Sequence, residues 1–321
     1  MTTLSRRDFL AVAAGAAAWV GAGGPAGAEA PAARAGLRKA LIGGLPDEAA
    51  LAALKAAGFD GLECTAWDVA PERAEAARKA AEGMELRIHS VLRGWVQFAD
   101  AKAAAANRTS VETALRTAQL LGAGAILLVP GRIGGMPMPK PREFRIEFDP
   151  KSGHLKRVVE GDPAPYAAYV KAHDEAVDAA RAAVETLVPA AEKAGVVLAL
   201  ENVWNNLWVR PEFFANFVGS FGSKWVRAYF DIGNHVKYAP PEAWIRALGP
   251  LLARCHVKDF KLNDDPGGGG KFVEIRDGSV NWPAVRAALA EVGYQGWMTI
   301  EGSSLPPAEQ GRRLDLIVAG Q

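Results

Sequence analysis

The chain has 321 residues, of which 50% are hydrophobic, with 37 Lys and Arg, 36 Asp and Glu and only 2 Cys. This length is too great for a small disulfide-bonded scaffold and suits one large α/β barrel or two ordinary domains. A formal charge of +1 offers no basic surface to a nucleic acid, and beyond a short N-terminal run no apolar stretch of the sequence approaches the ~20 residues of a membrane span. We therefore expect neither a nucleic-acid partner nor stable membrane insertion after processing.

The first 28 residues are typical of an export signal. Ser5-Arg6-Arg7-Asp8-Phe9-Leu10 precede an Ala/Gly-rich apolar run over 11–23, and small residues follow at 26–28. This arrangement resembles a twin-arginine signal peptide cleaved after Ala28, with an uncleaved anchoring helix as the alternative. Cleavage removes two basic residues and one acidic residue, which leaves the mature chain formally neutral. We expect a periplasmic protein that is exported in its folded form.

Short aliphatic or β-branched runs then alternate with Ala-rich stretches of helical period, as in successive βα units. The predicted strands are Lys39–Ile42, Gly61–Thr65, Leu86–Val91, Ala125–Val129, Val197–Asn202, Arg227–Asp231, Arg254–Val257 and Met298–Glu301. The predicted helices are Asp47–Ala57, Pro71–Gly83, Ala101–Gly122, Ala167–Ala194, Pro211–Phe221, Pro241–Leu252 and Trp282–Val292. This alternation predicts a single α/β domain, a (β/α)8 TIM barrel over residues 37–321. A doubly wound sheet is the alternative, but no Gly-x-Gly-x-x-Gly follows the first strand.

Two connections are too long to be simple turns. Residues 131–165 contain the runs Phe144–Phe148 and His154–Val159 around a turn, which predicts a β-hairpin insertion. Residues 261–281 contain four consecutive glycines at 267–270, which predicts a mobile loop. Both connections follow the C-terminal ends of strands, where barrel enzymes hold their active sites. We expect lids over such a site, with contacts in a homo-oligomer as the alternative.

Four successive predicted strands end in an acidic residue or a histidine after an aliphatic run. The residues are Glu201, Asp231, His256 and Glu301. In a barrel these side chains would converge on the mouth, where burying an unpaired carboxylate costs on the order of several kcal/mol. Three carboxylates and one imidazole form a mostly oxygen ligand set that favours Mn²⁺ or Mg²⁺, with Co²⁺ and Zn²⁺ as alternatives. The sequence therefore predicts a divalent metal site.

The segments that carry these residues resemble a known family. They are Leu200-Glu201-Asn202, Asp231-Ile232-Gly233-Asn234, His256-Val257-Lys258-Asp259 and Ile300-Glu301-Gly302. They resemble the sugar phosphate isomerase/epimerase group of the xylose isomerase-like TIM barrels, and Gly58–Glu63 and Ile88–Val91 extend the resemblance over nearly the whole mature chain. The resemblance implies that the four strand-end residues bind the metal.

It also implies that Glu201 and Glu301 are the catalytic acid/base pair. One carboxylate would remove a proton from the carbon beside a ketone, and the other would return it to the enediolate on the opposite face. Two-sided transfer epimerises a sugar, whereas a one-sided shuttle interconverts an aldose and a ketose. The implied enzyme is a metal-dependent isomerase.

Four further polar residues are predicted to bind the substrate. Lys258 lies in phase with the metal-binding histidine of its strand and would face the mouth, with a salt bridge to a neighbouring acid as the alternative. His235, just beyond the sixth strand, is similar to the family's substrate-binding histidine. Glu63 and His89 lie near the ends of strands two and three. For His89 a hydrogen-bonded core position is the alternative.

Tryptophans follow several strands on the same face. Trp67, Trp95 and Trp204, with Trp208, lie just beyond strands two, three and five. Aromatic rings there can stack on a sugar ring. The alternative is packing under the hairpin insertion or against a second subunit.

The favoured function is a metal-dependent isomerase or epimerase of a non-phosphorylated keto-sugar or keto-glycoside, because no phosphate loop or Arg cluster follows strands seven and eight. A lyase or hydratase acting on a 3-keto-glycoside would use the same enediolate and is the alternative. A non-catalytic sugar-binding barrel is a third hypothesis, which the complete ligand set disfavours. The AP-endonuclease branch is disfavoured by a total of five His and by the neutral mature charge.

Overall fold

The computed structural model describes residues 36–265 and 267–321. Its barrel strands are β1 (Arg38–Gly43), β2 (Gly61–Cys64), β3 (Arg87–Trp95), β4 (Ala125–Val129), β7 (Val197–Glu201), β8 (Val226–Asp231), β9 (Leu252–Val257) and β12 (Trp297–Ile300). All neighbours pair in parallel, and the sheet closes in the order β1-β12-β9-β8-β7-β4-β3-β2. The predicted (β/α)8 TIM barrel is confirmed, and the predicted export signal lies outside the described residues.

Helices separate the strands. They are α1 (Glu48–Ala56), α2 (Pro71–Gly83), α3 (Ala104–Leu121), α4 (Ala167–Ala194), α5 (Pro211–Gly219), α6 (Pro241–Leu248), α7 (Trp282–Glu291) and α8 (Pro307–Val318). Local signals set their ends: Asp47 caps α1 through a 2.8 Å bond from Ala50 N, and Gly122 ends α3 in the left-handed region. Seven of these helices match predicted ones, and α8 is an additional helix that the sequence pattern does not predict. No helix in the described part of the chain combines the length and apolarity of a membrane span.

Two antiparallel hairpins project from the ends of barrel strands. In the 131–165 connection, β5 (Glu147–Phe148) pairs with β6 (Leu155–Arg157). After β9, β10 (Asp259–Leu262) pairs with β11 (Gly270–Val273). The second hairpin corrects the prediction of a mobile loop over 261–281. The glycines lie only at its turn and at the start of β11, whereas Phe260 and Phe272 are directly paired across the two strands.

The core has two layers. A small cluster fills the barrel interior, and a larger apolar cluster packs the helices against the outside of the barrel. Side chains alternate between the two faces of a strand, so residues two positions apart face the same side. A residue that follows an interior residue by two positions therefore also faces the barrel interior. Ala199 and Tyr229 lie in the interior cluster, so Glu201 and Asp231 complete the same rows at the C-terminal mouth.

Candidate metal centre

The four predicted metal ligands lie together at the C-terminal ends of β7, β8, β9 and β12. One ligand atom from each of Glu201, Asp231, His256 and Glu301 lies within 4.8 Å of the others. His256 Nδ1 is 3.1 Å from Glu301 Oε2 and 4.0 Å from Asp231 Oδ2. Glu201, Asp231 and His256 are buried, while the Glu301 side chain is 31% exposed. The cluster thus has one ligand that reaches solvent.

Burial shapes the electrostatics of these carboxylates. Burial raises the pKa of Glu201 to about 8. It also raises the pKa of Asp231 to about 6, although the positive charge of Lys258 acts in the opposite direction. Burial alone would raise the pKa of Glu301, but the neighbouring His256 and Lys258 have the larger combined effect and lower that pKa. Anionic groups crowded into a low-dielectric interior are stabilised by added positive charge. The cluster therefore favours a cation.

Several ligand atoms lack ordinary partners. Asp231 Oδ2, His256 Nδ1 and Glu301 Oε2 are buried and have no partner in hydrogen-bond geometry among the described residues. Buried polar atoms are normally satisfied, and Lys258 Nζ approaches only as an ion pair, 3.4 Å from Asp231 Oδ2 and 2.8 Å from Glu301 Oε2. Carboxylate oxygen and imidazole nitrogen are ligands of Mn²⁺, Mg²⁺, Co²⁺ and Zn²⁺. The residues present therefore fit a divalent cation.

The turn after β8 holds the cluster together. The backbone N–H groups of Gly233 and Asn234 each donate to Asp231 Oδ1 at 2.9 Å. The Asn234 amide donates to Glu201 Oε1 at 3.3 Å and accepts from Lys258 Nζ at 3.5 Å. A Cβ at position 233 would lie 2.7 Å from the Lys258 backbone, so this approach requires glycine. Asn234 is thus a residue of the site that was not predicted, although it lies in the Asp231–Asn234 motif.

Lys258 lies at the mouth, as its strand phase predicts. Its side chain is 17% exposed, and its Nζ is 5.1 Å from the centroid of the Phe272 ring. Burial alone would lower the pKa of Lys258, but the Asp231 and Glu301 carboxylates outweigh it and raise that pKa. Lys258 is therefore a stable cation beside the ligands. The salt bridge given as the alternative for Lys258 is therefore present, with Asp231 and Glu301 as its partners rather than Asp259.

Asp259 anchors the β10–β11 hairpin. Its buried carboxylate accepts hydrogen bonds from five donors: the backbone N–H groups of Phe260, Arg276, Gly278 and Val280 and the indole N–H of Trp282. A second tie comes from Glu274, which accepts from the Ser303 hydroxyl at 2.5 Å and from Ser304 N at 2.9 Å. Because Ser303 and Ser304 closely follow Glu301, this contact connects the end of the hairpin to the loop after Glu301.

Glu63 lies behind the cluster. It has no exposed surface, and its Oε2 is 2.6 Å from His256 Nε2. Its Oε1 accepts from the Ser90 hydroxyl at 2.8 Å. The prediction of substrate contact is therefore corrected, because this carboxylate contacts a candidate metal ligand instead. Ser90 was not predicted, since nothing in the sequence connects it to Glu63.

The other two predicted substrate-binding histidines are buried. His89 is stacked on Trp297 with ring centroids 4.3 Å apart, and its Nε2 is 3.0 Å from Thr299 Oγ1. His235 packs against Trp244 with centroids 4.6 Å apart. Burial lowers the pKa of His89 well below its usual value and that of His235 to about 3. Neither has the exposure for substrate contact, and His89 has the core position given as its alternative.

Trp204 is partly buried beneath the β10–β11 hairpin. One face is stacked on Phe272, with centroids 5.0 Å apart and planes 25° apart. Lys237 Nζ lies 3.3 Å from the Trp204 ring centroid, and the indole N–H donates to Asn234 O at 2.5 Å. Trp204 therefore supports the mouth from beneath the hairpin. The exposed member of this stack is Phe272, at 43%.

The remaining tryptophans differ from one another. Trp208 is fully buried in the core. Trp67 is half-buried with the Arg93 guanidinium 4.6 Å from its ring centroid. Trp95 is 45% exposed, with Arg132 at 5.5 Å. Of the predicted set, Trp95 is exposed, Trp67 and Trp204 are partly exposed, and Trp208 is buried.

A cleft opens beside the loop that follows Glu301, and its lining contains none of the four candidate ligands. It has a volume of ≈540 Å³ and lies between the β10–β11 hairpin and the loop after Glu301. Its lining includes Phe272 and Gly302, together with two lysines, Lys261 and Lys271. A cleft of this size can hold a small sugar.

The chain matches the family described as "Xylose isomerase-like TIM barrel" over residues 51–316. It is also 28% identical over 134 residues to an uncharacterized protein of Methanocaldococcus jannaschii. That match covers 40% of this chain and 44% of the relative, so less than half of the relative's length is spanned.

Solved structures share the fold at low identity. A D-psicose 3-epimerase in the presence of D-fructose is 15% identical, with a TM-score of 0.60 over 86% of this chain and 90% of the other. The apo 3-keto-D-glucoside 4-epimerase of E. coli is 14% identical, with a TM-score of 0.63 over 88% and 98% of the two chains. A Mycobacterium smegmatis protein in complex with magnesium is 21% identical, with a TM-score of 0.58 over 85% and 87%.

Proposed function

Because the chain belongs to the xylose isomerase-like TIM barrel family, we propose that it is a divalent-metal-dependent isomerase or epimerase of a keto-sugar or keto-glycoside. The observation that carries this proposal is the convergence of Glu201, Asp231, His256 and Glu301, whose ligand atoms lie within 4.8 Å of one another. Mn²⁺ or Mg²⁺ is the proposed ion because three of the four ligands are carboxylates.

The two glutamates are the proposed acid and base. A bound divalent cation would supply the Lewis acid that polarises the ketone and acidifies the neighbouring C–H. Glu201 and Glu301 approach the same point from β7 and β12, so one can remove the proton and the other can return it to the enediolate. Asn234 holds Glu201 through the 3.3 Å bond to Oε1. Glu301, the more exposed of the two, lies on the side of the cleft.

Lys258 is proposed to stabilise negative charge on the substrate. Its ammonium group is 2.8 Å from Glu301 Oε2 and keeps its charge because of the surrounding carboxylates. A fixed cation at this position favours an oxyanion that develops beside the proton-transfer groups. Lys258 can equally donate a hydrogen bond to a sugar hydroxyl.

Two arguments support the proposed substrate class. Proton transfer beside a carbonyl requires a ketone or aldehyde, and the structural relatives include proteins described as a D-psicose 3-epimerase and a 3-keto-D-glucoside 4-epimerase. The predicted periplasmic location favours free keto-sugars and keto-glycosides over phosphorylated ones. Because Lys261 and Lys271 line the cleft, a substrate screen should also contain sugar phosphates.

The experiment is a screen of ketoses, 3-keto-glycosides and sugar phosphates for hydrogen exchange in heavy water with added Mn²⁺. We expect deuterium at the carbon next to the carbonyl, detected by NMR, together with an epimer or isomer. Loss of the aglycone or of water would instead identify the lyase or hydratase activity. Sugar binding without exchange would support a non-catalytic barrel.

The export signal is a separate proposal. The Ser5–Leu10 motif and the apolar run that follows support passage through the twin-arginine pathway to the periplasm. Cell fractionation and N-terminal sequencing test it. We expect a mature periplasmic chain that begins after Ala28, and Arg6→Lys with Arg7→Lys should keep the protein in the cytoplasm.

A further inference from the structure

We propose that Glu63 is a positioning residue that orients His256 toward the metal ion, and that Ser90 holds Glu63 in place. This inference rests on the proposed metal centre and adds a carboxylate that does not itself bind the ion. The two relevant contacts are short, at 2.6 Å from Glu63 Oε2 to His256 Nε2 and 2.8 Å from Ser90 Oγ to Glu63 Oε1.

The two nitrogens of His256 have different surroundings. Nε2 points to Glu63, whereas Nδ1 points to Glu301 and Asp231, at 3.1 and 4.0 Å. An ionised carboxylate can only accept a hydrogen bond, so Nε2 is the donor to Glu63. Nδ1 is then the nitrogen left for the ion. Metal-binding histidines commonly donate their second N–H to a carboxylate, which fixes both tautomer and ring orientation.

An irregularity in the sheet aligns Glu63 with Ser90. Along the β2–β3 ladder, Leu62 pairs with Ile88, but Glu63 pairs with Ser90 because the register shifts between these two pairs. Such bulges re-aim side chains near active sites. Without the extra residue, Glu63 would face His89, which is stacked on Trp297. The bulge therefore gives the carboxylate a hydroxyl donor at the same height in the barrel.

The Glu63–His256 contact crosses the barrel interior. It joins residues that are 193 positions apart, on strands β2 and β9, which β1 and β12 separate in the sheet. It therefore does not support pairing between adjacent strands. Both side chains are buried, at 0% and 1% exposure, and a buried ion pair is on balance a weak source of stability. Orienting His256 accounts for a carboxylate at this position.

The test is calorimetric titration of metal-depleted full-length protein with Mn²⁺, without substrate. We expect Glu63→Gln to weaken Mn²⁺ binding about 10–100-fold and Ser90→Ala to weaken it by a smaller factor. Asp60→Asn is the matched control, since it also removes a carboxylate close to Glu63 in sequence, but this carboxylate accepts from Lys39 N at 2.9 Å and contacts none of the ligands. It should leave Mn²⁺ affinity within about twofold.

Proton NMR of the metal-free proteins adds a readout that general destabilisation does not produce. The His256 Nε2–H bonded to Glu63 should give a strongly downfield resonance that is absent in His256→Ala. In Glu63→Gln it should move upfield, and in Asp60→Asn it should stay unchanged. If Glu63→Gln does not fold, Ser90→Ala tests the same contact, with an expected smaller upfield shift and weaker Mn²⁺ binding.

The outcomes separate this inference from the proposed function. Unchanged Mn²⁺ affinity in folded Glu63→Gln, or equal losses in Glu63→Gln and Asp60→Asn, would overturn the role of Glu63 while leaving the metal centre intact. Failure of the wild type to bind any divalent cation would overturn both proposals. Weaker Mn²⁺ binding in Glu63→Gln supports the inference even if no sugar in the screen undergoes exchange.

Discussion

The barrel has two unlike halves. Strands β7, β8, β9 and β12 form the ligand-bearing half, in which each strand ends in a candidate metal ligand. Strands β1–β4 form the supporting half, whose interior at β4 is apolar, with Leu127 and Val129 in the interior cluster. Its main contribution to the site is Glu63, which contacts a ligand rather than an ion. Chemistry and support are thus divided between contiguous parts of one sheet.

The hairpins repeat this division. The β5–β6 hairpin follows the supporting half and packs on an outer helix, where the rings of Phe148 and Phe213 are 4.6 Å apart. The β10–β11 hairpin follows the ligand-bearing half and places Phe272 on Trp204 at the mouth. Similar insertions therefore serve different purposes according to the strand they follow. Changes in the ligand-bearing half should affect chemistry, and changes in the supporting half, apart from those at Glu63 and Ser90, should affect stability.

Metal removal gives the largest expected effect. Chelation should abolish exchange, and added Mn²⁺ should restore it. An ion present at 100 times its dissociation constant stabilises the folded state by about 2.7 kcal/mol, so Mn²⁺ should also raise the melting temperature. In His256→Ala that rise should be much smaller. Full activity after exhaustive chelation, verified by elemental analysis, would show that the ligand-bearing half does not act through a metal.

Glu301→Gln should lower kcat by about 10²–10⁴, the usual contribution of a general acid or base. The measurement is solvent deuterium exchange at saturating Mn²⁺, so that weaker ion binding does not account for the loss. Glu274→Gln is the matched control, because Glu274 is an acid of the same region that bonds Ser303 and Ser304. A comparable loss in both variants would contradict the acid/base role of Glu301.

His89→Ala should affect stability alone. Removing this buried ring from its stack on Trp297 leaves a cavity in the supporting half and should lower the free energy of unfolding by about 2–4 kcal/mol. Urea denaturation measures the loss. Metal stoichiometry and kcat should stay within about twofold of the wild type at a temperature where the variant is folded. A large fall in kcat would show that the halves are less separate than the structure indicates.

The hairpins give the smallest effects. Phe272→Ala removes an exposed ring next to the cleft and should lower kcat/KM about fivefold, equivalent to about 1 kcal/mol, with little change in stability. Phe148→Ala removes a packing contact on α5 and should lower the free energy of unfolding by about 1–2 kcal/mol with kcat/KM unchanged. Steady-state kinetics and urea denaturation of both variants test whether Phe272→Ala mainly lowers kcat/KM and Phe148→Ala mainly lowers stability. A stability loss in Phe272→Ala together with a kcat/KM loss in Phe148→Ala would contradict these roles of the two hairpins.

The sequence was sufficient to predict the barrel and the convergence of its strand-end acids. Each ligand follows an aliphatic run and thus marks the C-terminal end of its own strand, which is local information. Parallel strands then bring these ends to one mouth whatever the details of the packing. Lys258 could be placed from strand phase alone for the same reason.

The contacts that depend on long-range register could not be predicted. Glu63 finds His256 across the barrel, and Ser90 replaces His89 as its neighbour only because of a bulge that leaves no clear sequence signal. The sequence predicts an accessible Trp204, because the segment that contains Phe272 also contains four consecutive glycines and is therefore predicted to be a loop. Pairing of Phe260 with Phe272 turned that segment into a hairpin. In each case the surroundings of a side chain depend on contacts between residues that are far apart in the sequence.

The five hydrogen bonds to Asp259 have a consequence for how substrate preference could change. They close the base of the β10–β11 hairpin one residue after Lys258 and leave the segment between Lys261 and Val273 outside this network. The tip can therefore vary in length and composition while the proposed proton-transfer groups, Glu201 and Glu301, keep their positions. In directed evolution this segment is the part to randomise first, with Asp259 held constant.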